Sequence, residues 1–319
     1  MEFARDRLPS GAFRVNRAGQ VLAEGASGVR DPVTNEPCTP ATRFQPASIS
    51  KQFVAAAVIL LQERGQLSLD DPVARWWPPA PAEWSSIHIG HLLDHTSGLP
   101  HWDGLGRRES GPLPGREEIL DRTRRLSLAS EPGRRWRYSG PGYLIAAEIV
   151  GAATGTDYPT FVTEQLFRPL GMASTTSGLF PEAGHALGTE GGKWLDPDPN
   201  LTGLPGTGDV WTTTGDLLRY ADAVSNGELL GPGSWDLMGR PHAAVEDSFG
   251  DPVAAQAYGY GTYIGTVDGR PARFHTGDNP GYRSILVWLP ETRVAFAVLA
   301  NESVRLDQAA VALARLADP

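Results

Sequence analysis

The sequence predicts an α/β chain of the α+β kind: an antiparallel sheet flanked by helices, joined to a mostly helical lobe. Three observations carry this. Segments that read as short strands sit at both chain ends, over Gly11–Gly28 and over about 258–300. Between them, from about 85 to 205, helical patterns alternate with Gly/Pro loops. The terminal strands come as local hairpins, so the sheet is antiparallel and the N-terminal pair completes it. With 319 residues, 40% of them apolar, the chain has ample material for one large domain or two lobes. The expected division is an α/β lobe from 1–76 and 206–319 and a helical lobe from 77–205, with a cleft between them.

Taken in order, Gly11 to Gly28 reads as two strands about the turn Arg17-Ala18-Gly19. Residues 48–64 read as a helix that is apolar on nearly all sides and therefore buried, stopped by Gly65. Leu67 to Trp77 leads into Pro78–Pro81, which breaks regular structure. Helical patterns then cover Ile87–His95, Arg116–Leu126, Gly142–Thr154 and Tyr158–Leu166. Leu179–Gly208 is polar and loop-rich, a candidate lid over a cleft. Thr214–Asn226 is a further helix. Tyr258–Val267 and Pro271–His275 flank Asp268-Gly269, a strong hairpin signal. Ser284–Leu289 and Arg293–Ala300 flank Pro290-Glu291-Thr292, and Asp307–Leu316 closes the chain as an amphipathic helix.

The net charge is −9 and the pI near 5.3. No basic stripe is available to neutralise phosphates, which excludes nucleic acid as a partner. The arginines sit beside acids, as in Arg107-Arg108-Glu109 and Arg116-Glu117-Glu118, and read as solvated faces. No apolar run reaches the length of a membrane span, and Met1–Arg7 lacks the apolar core of a signal peptide. The expectation is a cytoplasmic protein with no membrane partner. Cys38 is the only cysteine, so no intrachain disulfide forms and the thiol reads as inert.

Three short motifs carry chemistry. The first is "PASISKQF", Pro46–Phe53. Lys51 and Lys193 are the only lysines among 28 basic residues. Ser48 and Lys51 are spaced i, i+3, on one helix face, so the amine reaches the hydroxyl. Apolar surroundings lower a lysine from its ordinary value of about 10.4. The neutral amine then takes the serine proton and makes a nucleophile. The second motif is Arg137-Tyr138-Ser139-Gly140, where a loop-tip tyrosine can share protons with a lysine or a leaving group; a packed aromatic is the simpler reading of Tyr138 alone. The third is His275-Thr276-Gly277-Asp278, read as the end of an edge strand that lines a groove and offers backbone N–H groups to an oxyanion; alone it is a turn with a histidine.

In this order, Ser-x-x-Lys, Tyr-Ser-x and His-Thr-Gly, the sequence resembles the class C β-lactamase-like serine hydrolases, a penicillin-binding-protein-like family that includes family VIII esterases, D-stereospecific peptidases and DD-peptidases. "GQLSLDDPV" (Gly65–Val73), "HLLDHTSGLP" (His91–Pro100), "LFRPLGM" (Leu166–Met172), "YGYG" (Tyr258–Gly261), "HTGDNPGYRS" (His275–Ser284) and "LANES" (Leu299–Ser303) extend the likeness over most of the chain. The resemblance implies the β-lactamase/penicillin-binding-protein fold and acyl transfer without metal or cofactor. It makes Ser48 the acylated nucleophile, Lys51 its base and Tyr138 the proton relay. It places His275 where β-lactamases have a lysine, lining the groove, and builds the oxyanion hole from the N–H groups of Ser48 and Asp278, beside Gly277. Two departures, Gly140 in the usual Tyr-x-Asn and His275 in the usual Lys-Thr-Gly, point away from penicillins and towards a small ester or amide substrate.

The expected reaction is ester or small-amide hydrolysis. The alternatives are a transacylase or peptide cyclase, a β-lactamase or D-peptidase, and an inactive scaffold of the same fold. His88, His91, His95 and His101 cluster at a spacing that can bind zinc, but they fall in or beside a structural segment of the family, so no metal is expected. Trp194 and Trp211, in loops that could rim the cleft, are candidate substrate contacts.

Overall fold

The computed structural model describes residues 9–102, 114–246 and 250–316. Its centre is an eight-stranded sheet. The strands are β1 (Gly11–Arg17), β2 (Gln20–Ser27), β3 (Ala243–Ala244), β4 (Val253–Tyr258), β5 (Tyr263–Val267), β6 (Arg270–Asn279), β7 (Tyr282–Leu289) and β8 (Val294–Ala300). Their spatial order is β2-β1-β8-β7-β6-β5-β4-β3, antiparallel throughout. The N-terminal hairpin joins the sheet through β1 and β8, from Gly11 opposite Ala300 to Arg17 opposite Val294.

Two of the two-residue hairpin loops, Ala18-Gly19 and Asp268-Gly269, are left-handed at both residues. That conformation matches the twist of the strands it joins. The expected single strand over 258–267 is in fact two. β4 ends at Tyr258, and the Gly259-Tyr260-Gly261 turn, packed against α1 (Lys51–Glu63), separates it from β5.

Along β8 every residue is buried, and the side chains sort by period two. Val294, Phe296 and Val298 join a cluster with Leu306, Ala310 and Leu313, whereas Ala295, Ala297 and Leu299 join the cluster that holds α1. One face of the sheet is thus covered by the terminal helix (Asp307–Arg315), and the other by α1 and the helices beyond it. In α1 every residue from Lys51 to Leu61 is buried, as all-round apolarity demands, and Gly65 ends it in left-handed backbone.

The helix does not begin at Ser48. A 3₁₀ turn, Ala47–Ser50, precedes it, entered through Ala47 at φ +49°. The other helices that frame the site are α2 (Arg116–Arg124), α3 (Gly140–Thr154) and α4 (Thr214–Ser225). The stretch 179–208 holds only a small hairpin (Gly188–Glu190 with Lys193–Leu195) and a helical turn, Pro199–Thr202. Among the described residues no helix is long and apolar enough to cross a membrane.

Candidate active site

Ser48 sits on the 3₁₀ turn, half-buried, and the turn is pressed onto the sheet. Ser284 Oγ donates to Pro46 O at 2.6 Å. Gly277, beside it on β6, allows the approach: a Cβ there would lie 2.2 Å from Pro46 O. Gly277 therefore seats the Ser48 turn.

Lys51, one helical turn on, is fully buried. Its Nζ lies 3.1 Å from Ser48 Oγ and donates to Gly206 O at 2.7 Å. Burial pulls its pKa down to about 7, and Asp209 resists the fall. As an ammonium it donates to both oxygens. As a neutral amine it keeps the Gly206 bond and accepts the Ser48 proton.

Tyr138 lies beside this pair, with Lys51 Nζ 4.9 Å from its ring centroid. Burial pushes its hydroxyl well above the usual phenol range, and a hydrogen bond with Ser48 offsets this only in part. The phenol stays protonated, so it is a donor rather than a base. It stands in an aromatic nest with His95, Tyr143 and Tyr258.

A cavity of about 60 Å³ opens beside Ser48, lined among others by His101, Trp102, Leu201, Asp278 and Asn279. Asp278 is on its wall, but its carboxylate pairs with Arg283 at 2.7 Å and is largely exposed. What it can offer a bound acyl group is backbone.

Three expectations need correction. His275 does not line the groove. It is 1% exposed, and both ring nitrogens are engaged. Nδ1 lies 2.6 Å from Thr276 O and Nε2 2.9 Å from Tyr258 Oη. The carbonyl requires the proton on Nδ1, so Nε2 accepts from the tyrosine. Burial, and then Lys51, hold its pKa down to about 3, and the ring is neutral. Its strand, β6, runs on to Asn279 and lies between β7 and β5, but the pairing with β5 ends at Phe274, so from His275 to Asn279 it is paired to β7 alone and is a local edge, as expected. Trp211 is fully buried among Phe180, His185 and Tyr282, away from the cavity. Trp194 is exposed on the small hairpin and is not among the residues that line the cavity.

Asp209 is a residue the motifs did not mark. It is fully buried, accepts from Ser177 Oγ at 2.7 Å and from Gly206 N–H at 2.8 Å, and burial raises it to about 6. The Gly206 peptide thus bridges it to Lys51. A carboxylate after Gly206-Thr207-Gly208 was the available signal. His95 was weighed as a zinc ligand, but its Nδ1 accepts from Ser139 N–H at 3.1 Å and so holds the Tyr138 loop. Among the described residues no group of three or more His, Cys, Asp or Glu is placed to hold a metal ion.

The chain has relatives among known proteins. The chain is 36% identical to esterase EstB of Burkholderia gladioli over 186 residues, covering 52% of this chain and 46% of that protein. Across four of the curated relatives it matches, the chain spans between 46% and 70% of their length. Among solved structures it is similar to a D-amino acid amidase from Ochrobactrum anthropi SV3, at TM-score 0.85 and 25% identity over 99% of this chain and 94% of that one. It is also similar to a penicillin-binding protein from Bacillus halodurans, at TM-score 0.84 and 26% identity over 97% and 96%. The β-lactamase family profile matches residues 2–318, and the chain belongs to that family of serine-hydrolase fold.

Proposed function

We propose that the protein is a serine hydrolase that works through an acyl-Ser48 intermediate, hydrolysing a carboxylic ester or small amide. The observation that carries this is the Ser48–Lys51 contact at 3.1 Å, with the lysine fully buried and drawn down to about 7. At neutral pH a large fraction of the amine is unprotonated and can act as a base.

In the forward step Lys51 Nζ takes the Ser48 proton and Oγ bonds to the acyl carbon. The N–H groups of Ser48 and Asp278 receive the oxyanion. On collapse the bond to the leaving group breaks. That group receives a proton from Tyr138, which recovers one from the Lys51 ammonium. Water then repeats the sequence on the acyl-enzyme and releases the acid. An ester is favoured over a strong amide by the likeness to an esterase and by Gly140 at the end of the Tyr-Ser-x motif. The site lies between the sheet-bearing lobe and the helical lobe of the proposed division.

The test is a short-chain p-nitrophenyl ester assay with intact mass on quenched enzyme. Wild type is expected to turn over and to carry an acyl adduct on Ser48. Ser48→Ala is expected to fold and to lose turnover; full activity in that variant would sink the mechanism.

A further inference from the structure

The wall of the Ser48 cavity is built by an interlock between two segments. Pro100 and His101 are tied to the start of α3: Ser139 Oγ donates to Pro100 O at 3.0 Å, and Gly140 N–H donates to His101 Nδ1 at 3.0 Å. The next residue, Trp102, lies over Gly140. A Cβ on residue 140 would fall 2.2 Å from Trp102 Nε1 and 2.3 Å from Cε2. No side chain fits there with the indole in place. The indole in turn lines the cavity with Pro114, Ile119, Leu201 and Leu204. Asp278 is the one carboxylate among the described lining residues, and Arg283 already holds it. Among the described residues that line the cavity there is no lysine or arginine, so this part of its wall offers no cation to an anionic acyl group.

We propose that the Gly140–Trp102 interlock sets the size of the acyl-binding cavity, so that preferred substrates carry a short or flat, uncharged acyl group. This rests on the acyl-Ser48 reading and goes beyond it by naming the acyl class and the pair that selects it. Trp102 is a specificity residue that touches the acyl group. Gly140 acts through it.

The experiment uses p-nitrophenyl acetate, butyrate, hexanoate and octanoate on wild type, Trp102→Ala, Gly140→Ala and the double variant. Wild type is expected to favour the two shorter esters. Trp102→Ala is expected to move the octanoate-to-butyrate ratio of kcat/KM upward by about tenfold or more, the scale on which a few methylenes are discriminated. Gly140→Ala is expected to move it the same way by displacing the indole. The double variant is expected to match Trp102→Ala alone, because the two changes remove one contact.

A second arm does not need turnover. In protein labelled with 5-fluorotryptophan, the signal lost in Trp102→Phe identifies residue 102. That signal is expected to move in Gly140→Ala, and in Ser48→Ala to respond to butyramide and not to hexanamide. An unmoved signal, equal response to both amides, additive effects, or an unchanged ester profile in an active Trp102→Ala would overturn the proposal. Absence of Ser48-dependent turnover in wild type would refute the hydrolase reading instead, and the fluorine signals would still decide the interlock.

Discussion

Burial assigns opposite duties to Lys51 and Tyr138. The same loss of hydration that draws the amine down to about 7 drives the phenol up, so one is ready to accept a proton where the other keeps its own. Because the neutral amine is the active form in the proposed mechanism, kcat/KM is expected to be low below pH 6 and to rise through about pH 7. A pH profile on an activated ester checks this, and a flat profile from pH 5 to 9 would remove Lys51 as the base. Tyr138→Phe is expected to lower kcat by about a hundredfold or more, with less effect on KM, since the lost donor acts mainly in the transition state. That Ser48, Lys51 and Tyr138 come together was legible because each sits in a short motif. His275 and Trp211 were misread because their surroundings come from distant residues, Tyr258 for the first and Phe180 and Tyr282 for the second. A histidine in a strand looks the same in sequence whether its nitrogens face a cleft or a neighbour.

Two segments hold the Ser48–Lys51 pair, one on each side. On the sheet side, Gly277 admits the Ala47–Ser50 turn; Gly277→Ala must displace Pro46 O, and a cost of about 2 kcal/mol is expected from overpacking. Denaturant melts would show the loss. An activity loss larger than the stability loss would show that Ser48 has moved. On the far side, Gly206 receives the Lys51 amine while Asp209 anchors Gly206. Asp209 raises the lysine's pKa, so Asp209→Asn, which retains an acceptor, is expected to shift the acid limb of the profile to lower pH. A shift to higher pH would contradict that coupling. The helix and hairpin calls came close because periodicity and Asp-Gly are local signals. The start of α1 did not, because a left-handed alanine followed by a 3₁₀ turn has no marker in composition.

At the scale of the whole molecule, the antiparallel sheet with an N-terminal hairpin was legible from hairpins at both ends. The strand order was only partly so, and β3 and β4 were missed as too short or too irregular. β8 is paired on both edges and buried on both faces, so its amides are expected to exchange most slowly, together with those of β7. Hydrogen exchange by mass spectrometry would show this, and faster exchange in β8 than in β2 would contradict it. The pairing of β1 with β8 also bears on the order of events at the ribosome. Strand β1 and the Ser48 turn are synthesised early, yet their partners in β6, β7 and β8 emerge last. At elongation rates of about 5–20 residues per second that gap is roughly a quarter of a minute to a minute. During it the first hairpin is an open edge and the apolar α1 has no sheet to cover it. Lys51 stays in water, where it remains fully protonated. On the proposed mechanism the nascent chain therefore carries a serine and a lysine but no activated nucleophile, and the chemistry would switch on only when the last strands close the sheet.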